Sequence, residues 1–179
     1  MIAALVGLLA EKIVETRSYR QAHVGLVCVE LRTASGRILS VRANEVPTCS
    51  FEAYTLEAAD GICTGKDLDP NASHRSARDL EVDRIEIFRR DEWRDTEAPI
   101  DPTVGSDPMA IDAGPIGSAP SEAEPCTVVS GCALHPRDDS QPSLLVCLSD
   151  YPGLITISTD ESDVAGYRKM TTSETVGTR

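Results

Sequence analysis

The chain has 179 residues, a formal net charge of −12 at pH 7 and only 4% aromatic residues. That length fits one medium domain with ample core, so small size does not force disulfides. Such acidity repels phosphate backbones, and the few rings leave few platforms for stacking bases, so nucleic acid is excluded as a partner.

Met1 to Ala10 is apolar, yet no Lys or Arg precedes it, and Glu11 and Lys12 follow at once. It reads as an ordered apolar start to the domain, not a secretory signal, and it is too short to span a membrane. The expectation is a cytoplasmic protein with no membrane partner. Lys12 to Arg20 fits either the end of a short helix or a first strand. From Val24 to Arg32, Val27, Val29 and Leu31 share one face and Val24, Leu26 and Cys28 the other. Apolar residues on both faces predict a central strand covered on both sides. Thr33-Ala34-Ser35-Gly36 supplies turn chemistry, and Ile38 to Ala43 returns with Leu39, Val41 and Ala43 alternating against Ser40 and Arg42, a β-hairpin. Pro47 ends that run, Phe51 to Ala58 alternates as a further strand, and Asp60 to Ser76 is a loop rich in Gly, Pro and Asn. Leu80 to Arg90 resumes as a strand, and Asp91-Glu92-Trp93-Arg94 closes a β-rich main lobe over residues 1–94.

Residues 95–125 hold seven carboxylates, six prolines, no Lys or Arg and no aromatic ring. Such a composition cannot bury enough apolar surface to offset the entropy of ordering it, so an acidic insertion or linker is expected. Residues 1–94 carry 13 Lys and Arg against 15 Asp and Glu, whereas residues 95–179 carry 4 against 14. The acidity therefore belongs to the second half, and it favours a basic protein partner.

Over residues 126–170, Thr127 to Leu134 and Leu144 to Ser149 read as strands around a polar turn at His135 to Pro142. Pro152-Gly153 breaks the second, and Leu154 to Thr159 alternates again. Asp160 to Met170 carries helix signals: Thr159 or Asp160 as N-cap, Glu161 and Asp163 in the first turn, Arg168 and Lys169 near the end. This second hairpin region with its helix is expected to pack on the main lobe, and residues 171–179 to form a flexible tail. Ile38-Leu39-Ser40-Val41 leading to Glu45-Val46-Pro47 parallels Leu144-Leu145-Val146-Cys147 leading to Asp150-Tyr151-Pro152, which raises an internal repeat. The expected fold is α+β, mainly β: an antiparallel sheet of about seven strands with a short C-terminal helix and the acidic Pro-rich insertion.

Six cysteines fall at irregular intervals. Cys28, Cys132 and Cys147 sit in apolar runs, for which buried thiols are the simplest reading, while the even count keeps a disulfide framework open for an exported chain. Cys126, Cys132 and His135 lie within ten residues and are the nearest approach to a zinc site, but structural zinc pairs cysteines two to four apart, so no metal is expected. His135 reads as a turn histidine beside Pro136. Asp67-Leu68-Asp69-Pro70-Asn71 starts like a calcium loop but lacks its glycine and its closing carboxylate, where Ala72 and Arg78 stand. Gly61 to Lys66 falls one residue short of a phosphate loop, and Asp67 follows the lysine. A Ser or Cys nucleophile with His23, His74 or His135 lacks any nucleophile-elbow context. No catalytic residue and no cofactor are assigned.

Gly25-Leu26-Val27-Cys28-Val29-Glu30-Leu31 followed by Ser35-Gly36-Arg37-Ile38-Leu39-Ser40-Val41 resembles the hairpin at the front of many small bacterial immunity-type proteins, which neutralise a toxin by binding it. Leu144 to Tyr167, running strand, Tyr-Pro-Gly, strand and acidic-started helix, is similar to their close. The resemblance spans about half the chain, omits the Pro-rich insertion and carries over no functional residue. It implies a non-enzymatic acidic protein that occludes a basic partner, plausibly a cognate toxin. Complementary charge would speed the encounter and select the partner. The candidate contacts are Asp101, Asp107, Asp112, Glu122 and Glu124 on the insertion, with Asp138, Asp139 and Asp150 around the second hairpin. A small hydrolase or metal-dependent enzyme, and a structural or scaffold module, are the alternatives.

Overall fold

A computed structural model describes residues 2–21, 25–46, 53–65, 68, 73–93, 125–149 and 153–177. Helix α1 (Ile2–Val6) leads into strands β1 (Lys12–Gln21), β2 (Gly25–Thr33), β3 (Ile38–Glu45), β4 (Tyr54–Asp60) and β5 (His74–Trp93). Strands β6 (Pro125–Pro136), β7 (Leu144–Leu148) and β8 (Ile155–Ser158), helix α2 (Glu161–Met170) and strand β9 (Thr172–Gly177) complete the order. The fold is mainly β, as expected. Nine strands are described where about seven were expected, all antiparallel, in the order β4-β3-β2-β1-β5-β6-β7-β8, with β9 also paired to β5.

β5 joins the two halves. Its first part pairs with β1 from His74 to Glu81, and its second part pairs with β6 from Val82 to Trp93, with a register shift at Val82 to Arg84. Beyond that shift β4 lies against β6 and β7, and β8 against β2. Thr55 on β4 ties the halves: its hydroxyl donates to the Val129 carbonyl at 3.3 Å and accepts from the Val129 N–H at 3.2 Å. One core fills the space between them, with Leu5 and Leu8 beside α1, Val29, Leu31, Leu39, Val41 and Leu56 from β2 to β4, and Ile85, Ile87, Leu134, Leu144 and Val146 from β5 to β7. The apolar amino terminus is thus part of the core. The β2–β3 turn bends at Gly36, whose φ of 90° favours a residue without a Cβ.

Several expectations change. Lys12 to Arg20, which fitted either a helix end or a first strand, lies within strand β1. β5 runs 20 residues from His74 to Trp93, so the strand expected from Leu80 begins six residues earlier and takes in the last three residues of the expected Asp60 to Ser76 loop. The chain from Thr172 to Gly177 is strand β9 and not a flexible tail, because Thr172 to Gly177 pairs along Arg89 to Arg84. β6 continues through His135 to Pro136, so His135 is a strand residue and not a turn histidine. Cys28 is no thiol: it is disulfide-bonded to Cys63, with Cα atoms 6.3 Å apart.

Candidate functional site

β5, β6 and β7 turn one face to the main core and the other to α2. Glu86 pairs with Ala133 and Phe88 with Gly131, so Glu86, Phe88, Ala133, His135, Leu145 and Cys147 share the outer face. α2 covers it for reasons written in its sequence. The Asp160 carboxylate accepts the Ser162 N–H at 2.8 Å as N-cap, Glu161 and Asp163 oppose the positive end of the helix dipole, and Arg168 and Lys169 oppose the negative end. Val164 is buried on the sheet, and Tyr167 meets Phe88 edge to face with ring centroids 5.3 Å apart. The Tyr167 hydroxyl donates to the Ser130 carbonyl at 2.8 Å.

Beside this apolar contact lies a buried polar chain. Glu86 is 4% exposed, His135 6% and Ser143 4%. Arg168 donates from Nε to Glu86 Oε1 at 2.8 Å and from Nη2 to Glu86 Oε2, and these bonds hold the Glu86 carboxyl down to about 2 against the opposing effect of burial. An ionised Glu86 only accepts, so His135 Nε2, 3.2 Å away, carries the proton. Burial, reinforced by the Arg84 charge, pushes the His135 pKa below 6.5 despite Glu86, so the ring is neutral at pH 7 and Nδ1 accepts from the Ser143 hydroxyl at 2.8 Å. The Ser143 N–H donates to Glu161 Oε1 at 2.7 Å, which lowers the Glu161 pKa.

Ser143, His135 and Glu86 are linked as a nucleophile, base and orienting acid would be. Their setting differs from a catalytic one. Both Glu86 oxygens are held by Arg168, and the Ser143 hydroxyl is shut in beneath Glu161 and α2. The arrangement satisfies every buried polar group while fixing α2 against the sheet.

The same bonds assemble an acidic rim. The β6–β7 turn carries exposed Asp138 and Asp139, and Asp138 accepts the Ser140 N–H at 2.9 Å, which lowers its pKa. The Ser143–Glu161 bond sets that turn beside Asp160, Glu161 and Asp163 at the start of α2. The turn's cation, Arg137, is engaged by Glu81 at 2.6 Å and Asp83 at 3.8 Å. Of the contacts expected from sequence, Asp138 and Asp139 lie on this rim, whereas Asp101, Asp107, Asp112, Glu122, Glu124 and Asp150 lie outside the described residues.

The structure does not bring the zinc candidates together. Cys126 is disulfide-bonded. Cys132 faces the main core, where burial pushes its thiol up to about 12, while His135, three residues along the strand, faces α2. Among the described residues no group of three His, Cys, Asp or Glu side chains could hold a metal ion. Sequence reasoning missed Glu86 and Ser143. The available signal was an acid within Ile85-Glu86-Ile87-Phe88, where Phe88 marks the face of Glu86 as buried.

Comparison with protein-family models, with curated proteins and with solved structures gives no match. Among the described residues no helix is long and apolar enough to cross a membrane.

Proposed function

We propose that this chain is a non-enzymatic binding protein whose acidic rim, made by the β6–β7 turn and the first turn of α2, docks a basic protein. The observation that carries the reading is the Ser143–Glu161 bond of 2.7 Å, which ties the end of the turn bearing Asp138 and Asp139 to the first turn of α2, where Asp160, Glu161 and Asp163 stand, while the turn's cation Arg137 is already engaged. A rim held by a buried clamp offers a preformed surface, so little ordering entropy opposes docking. Charge complementarity then raises the encounter rate and disfavours acidic competitors. The resemblance to immunity-type proteins makes a toxin the first partner to try.

The Ser143–His135–Glu86 chain supports a second reading, a hydrolase. It predicts covalent labelling of Ser143 by a fluorophosphonate in the native protein. The burial of the hydroxyl argues for no labelling of the native protein.

One further reading concerns location. The cystine between Cys28 and Cys63, with Cys126 also disulfide-bonded, supports an oxidising compartment in place of the cytoplasmic location expected from sequence. Alkylation of the protein isolated under acid quench should modify Cys132 and Cys147 on denaturation and leave Cys28, Cys63 and Cys126 unmodified.

The binding test takes the product of the neighbouring gene as probe. The association rate should fall steeply between 50 and 500 mM salt, as screening of exposed charge requires (on the order of a threefold shorter Debye length). Asp138→Asn with Asp139→Asn and Asp163→Asn should slow it at least tenfold. Association that ignores both salt and the triple substitution would overturn the reading.

A further inference from the structure

The inward face of the β1–β5 ribbon changes character along its length. Near Lys12 it carries Ile13, Leu80 and Val82, all buried in the main core. Further along, the same face carries Thr16, Ser18 and Arg20 from β1 and Arg78, Ser76 and His74 from β5, with Thr16 opposite Ser76 and Ser18 opposite His74. These side chains line a groove of about 760 Å³, a size typical of small-molecule sites. Its other wall is apolar: Leu26 on β2 and Ile155 and Ile157 on β8.

Among the described residues lining this groove there is no carboxylate. Arg78 bonds Thr16 Oγ1 through Nε at 3.4 Å, and among the described residues its two terminal nitrogens meet no acceptor. Arg17 and Arg75 face each other on the outer side of the same ribbon and add to the positive potential. In a chain of net charge −12, inward-facing cations gathered without a described counter-carboxylate repel one another, and an anion seated between them removes that repulsion.

We infer that this groove binds a small organic anion with an apolar body. A carboxylate or phosphate head meets Arg20, His74 and Arg78 and accepts from the flanking hydroxyls, while the body lies on Leu26, Ile155 and Ile157. The site is separate from the acidic rim. Arg78 points to the opposite face of β5 from Asp79, which pairs with Lys12 near the rim, and the groove runs away from there to Arg20, eight positions along β1 from Lys12, a span of about 26 Å at the rise of an extended strand.

The test uses 1-anilinonaphthalene-8-sulfonate as a fluorescent anionic reporter on the full chain. Saturable binding at one site is expected, displaced by dodecanoate or dodecyl phosphate and not by dodecyltrimethylammonium. The ratio of the two anions' displacement constants tells a carboxylate site from a phosphate site. Arg20→Gln with Arg78→Gln should weaken the reporter at least tenfold, with far-ultraviolet circular dichroism unchanged. Ser76→Trp, which fills the groove from the face of β5 opposite Thr16, should abolish binding without removing charge. Equal displacement by the cationic amphiphile, absence of saturable binding, or full affinity in the folded arginine variant would each overturn the inference. Should the arginine variant fail to fold, the comparison of anionic with cationic amphiphile on the unmodified protein still decides.

Discussion

Arg168 near the end of α2 grips both carboxylate oxygens of Glu86 on β5, a residue 82 positions earlier in the chain. The guanidinium is half exposed while the carboxylate is buried, so the pair anchors a surface helix to an interior charge. Through Glu86 the anchor reaches His135, through His135 it reaches Ser143, and through the Ser143 N–H it returns to Glu161 at the other end of α2. The helix is therefore held at both ends by one closed chain of hydrogen bonds. Its hydrophobic contact is small, Val164 with part of Tyr167, so the polar chain carries much of the docking.

Removing one partner of this pair should cost more than removing both. Arg168→Met leaves the Glu86 charge buried with only His135 and neighbouring hydroxyls, and a loss of about 3 kcal/mol is expected from an uncompensated buried charge. Arg168→Met combined with Glu86→Gln should recover about 1 kcal/mol or more of it, because an amide needs no counter-charge. Urea denaturation of the two variants and the unmodified protein measures both values.

Acid should unfold the protein in two stages, and both signs follow from depressed pKa values. His135 is neutral in the fold because burial lowers its pKa below 6.5, whereas the unfolded chain takes up a proton there, so stability falls as pH drops below 6.5. Glu86 contributes fully above its ordinary 4.5, and that contribution is lost as pH falls from 4.5 through about 2. The second stage is worth on the order of 2–3 kcal/mol. Denaturation midpoints at pH 8, 6, 4 and 3 check the order. His135→Gln should flatten the first stage and leave the second in place.

The elements marked by apolar alternation or by an apolar run were legible: the β2–β3 hairpin, β7, β8 and, by its cap and terminal charges, α2. What escaped was structure made by polar residues. The start of β5, His74-Arg75-Ser76-Ala77-Arg78, has no apolar face because one side lines the cationic groove and the other meets solvent. β9 is exposed at Thr172 to Thr175 and Gly177, so only its pairing with β5 makes it a strand. The buried network escaped for a related reason. Glu86, His135, Ser143 and Arg168 lie on four elements, and only the register of β5 with β6 brings the first two together. The acidity of the second half was plain from counting, but its focus at the β6–β7 turn depends on a backbone bond from Ser143 to Glu161.

The Cys28–Cys63 disulfide should contribute about 3–4 kcal/mol, the value that chain entropy gives for a loop of 35 residues. Glu30, 1% exposed, works at the same place: its Oε1 accepts the Cys63 N–H at 2.8 Å and the Tyr19 hydroxyl at 2.9 Å. Reduction should therefore leave residues 61–65 still held by Glu30. Cys28→Ala with Cys63→Ala should lower stability by the full amount while amide exchange at Cys63→Ala stays slow, and adding Glu30→Ala, which removes the acceptor, should make that amide exchange fast.

Gly131 sits where β6 passes beneath Tyr167, and a Cβ built there would lie 2.9 Å from the Tyr167 ring and 3.0 Å from Cys147 Cβ. Neither neighbour can retreat easily, since the ring packs edge to face on Phe88 and its hydroxyl is bonded to Ser130, while Cys147 is on the paired strand. Gly131→Ala should then cost about 1–3 kcal/mol by overpacking. The strain falls on α2 before it falls on the sheet, because the helix is the outer layer and the strands are held by ladder bonds. Hydrogen exchange separates the two: protection should drop over residues 161–170 and persist over β6 and β7. Uniform loss across both would mean that the sheet yields first. Gly131→Ala with Tyr167→Ala should restore β-sheet stability toward the Tyr167→Ala level without restoring protection in α2, since the helix has then lost its ring contact as well as its clash.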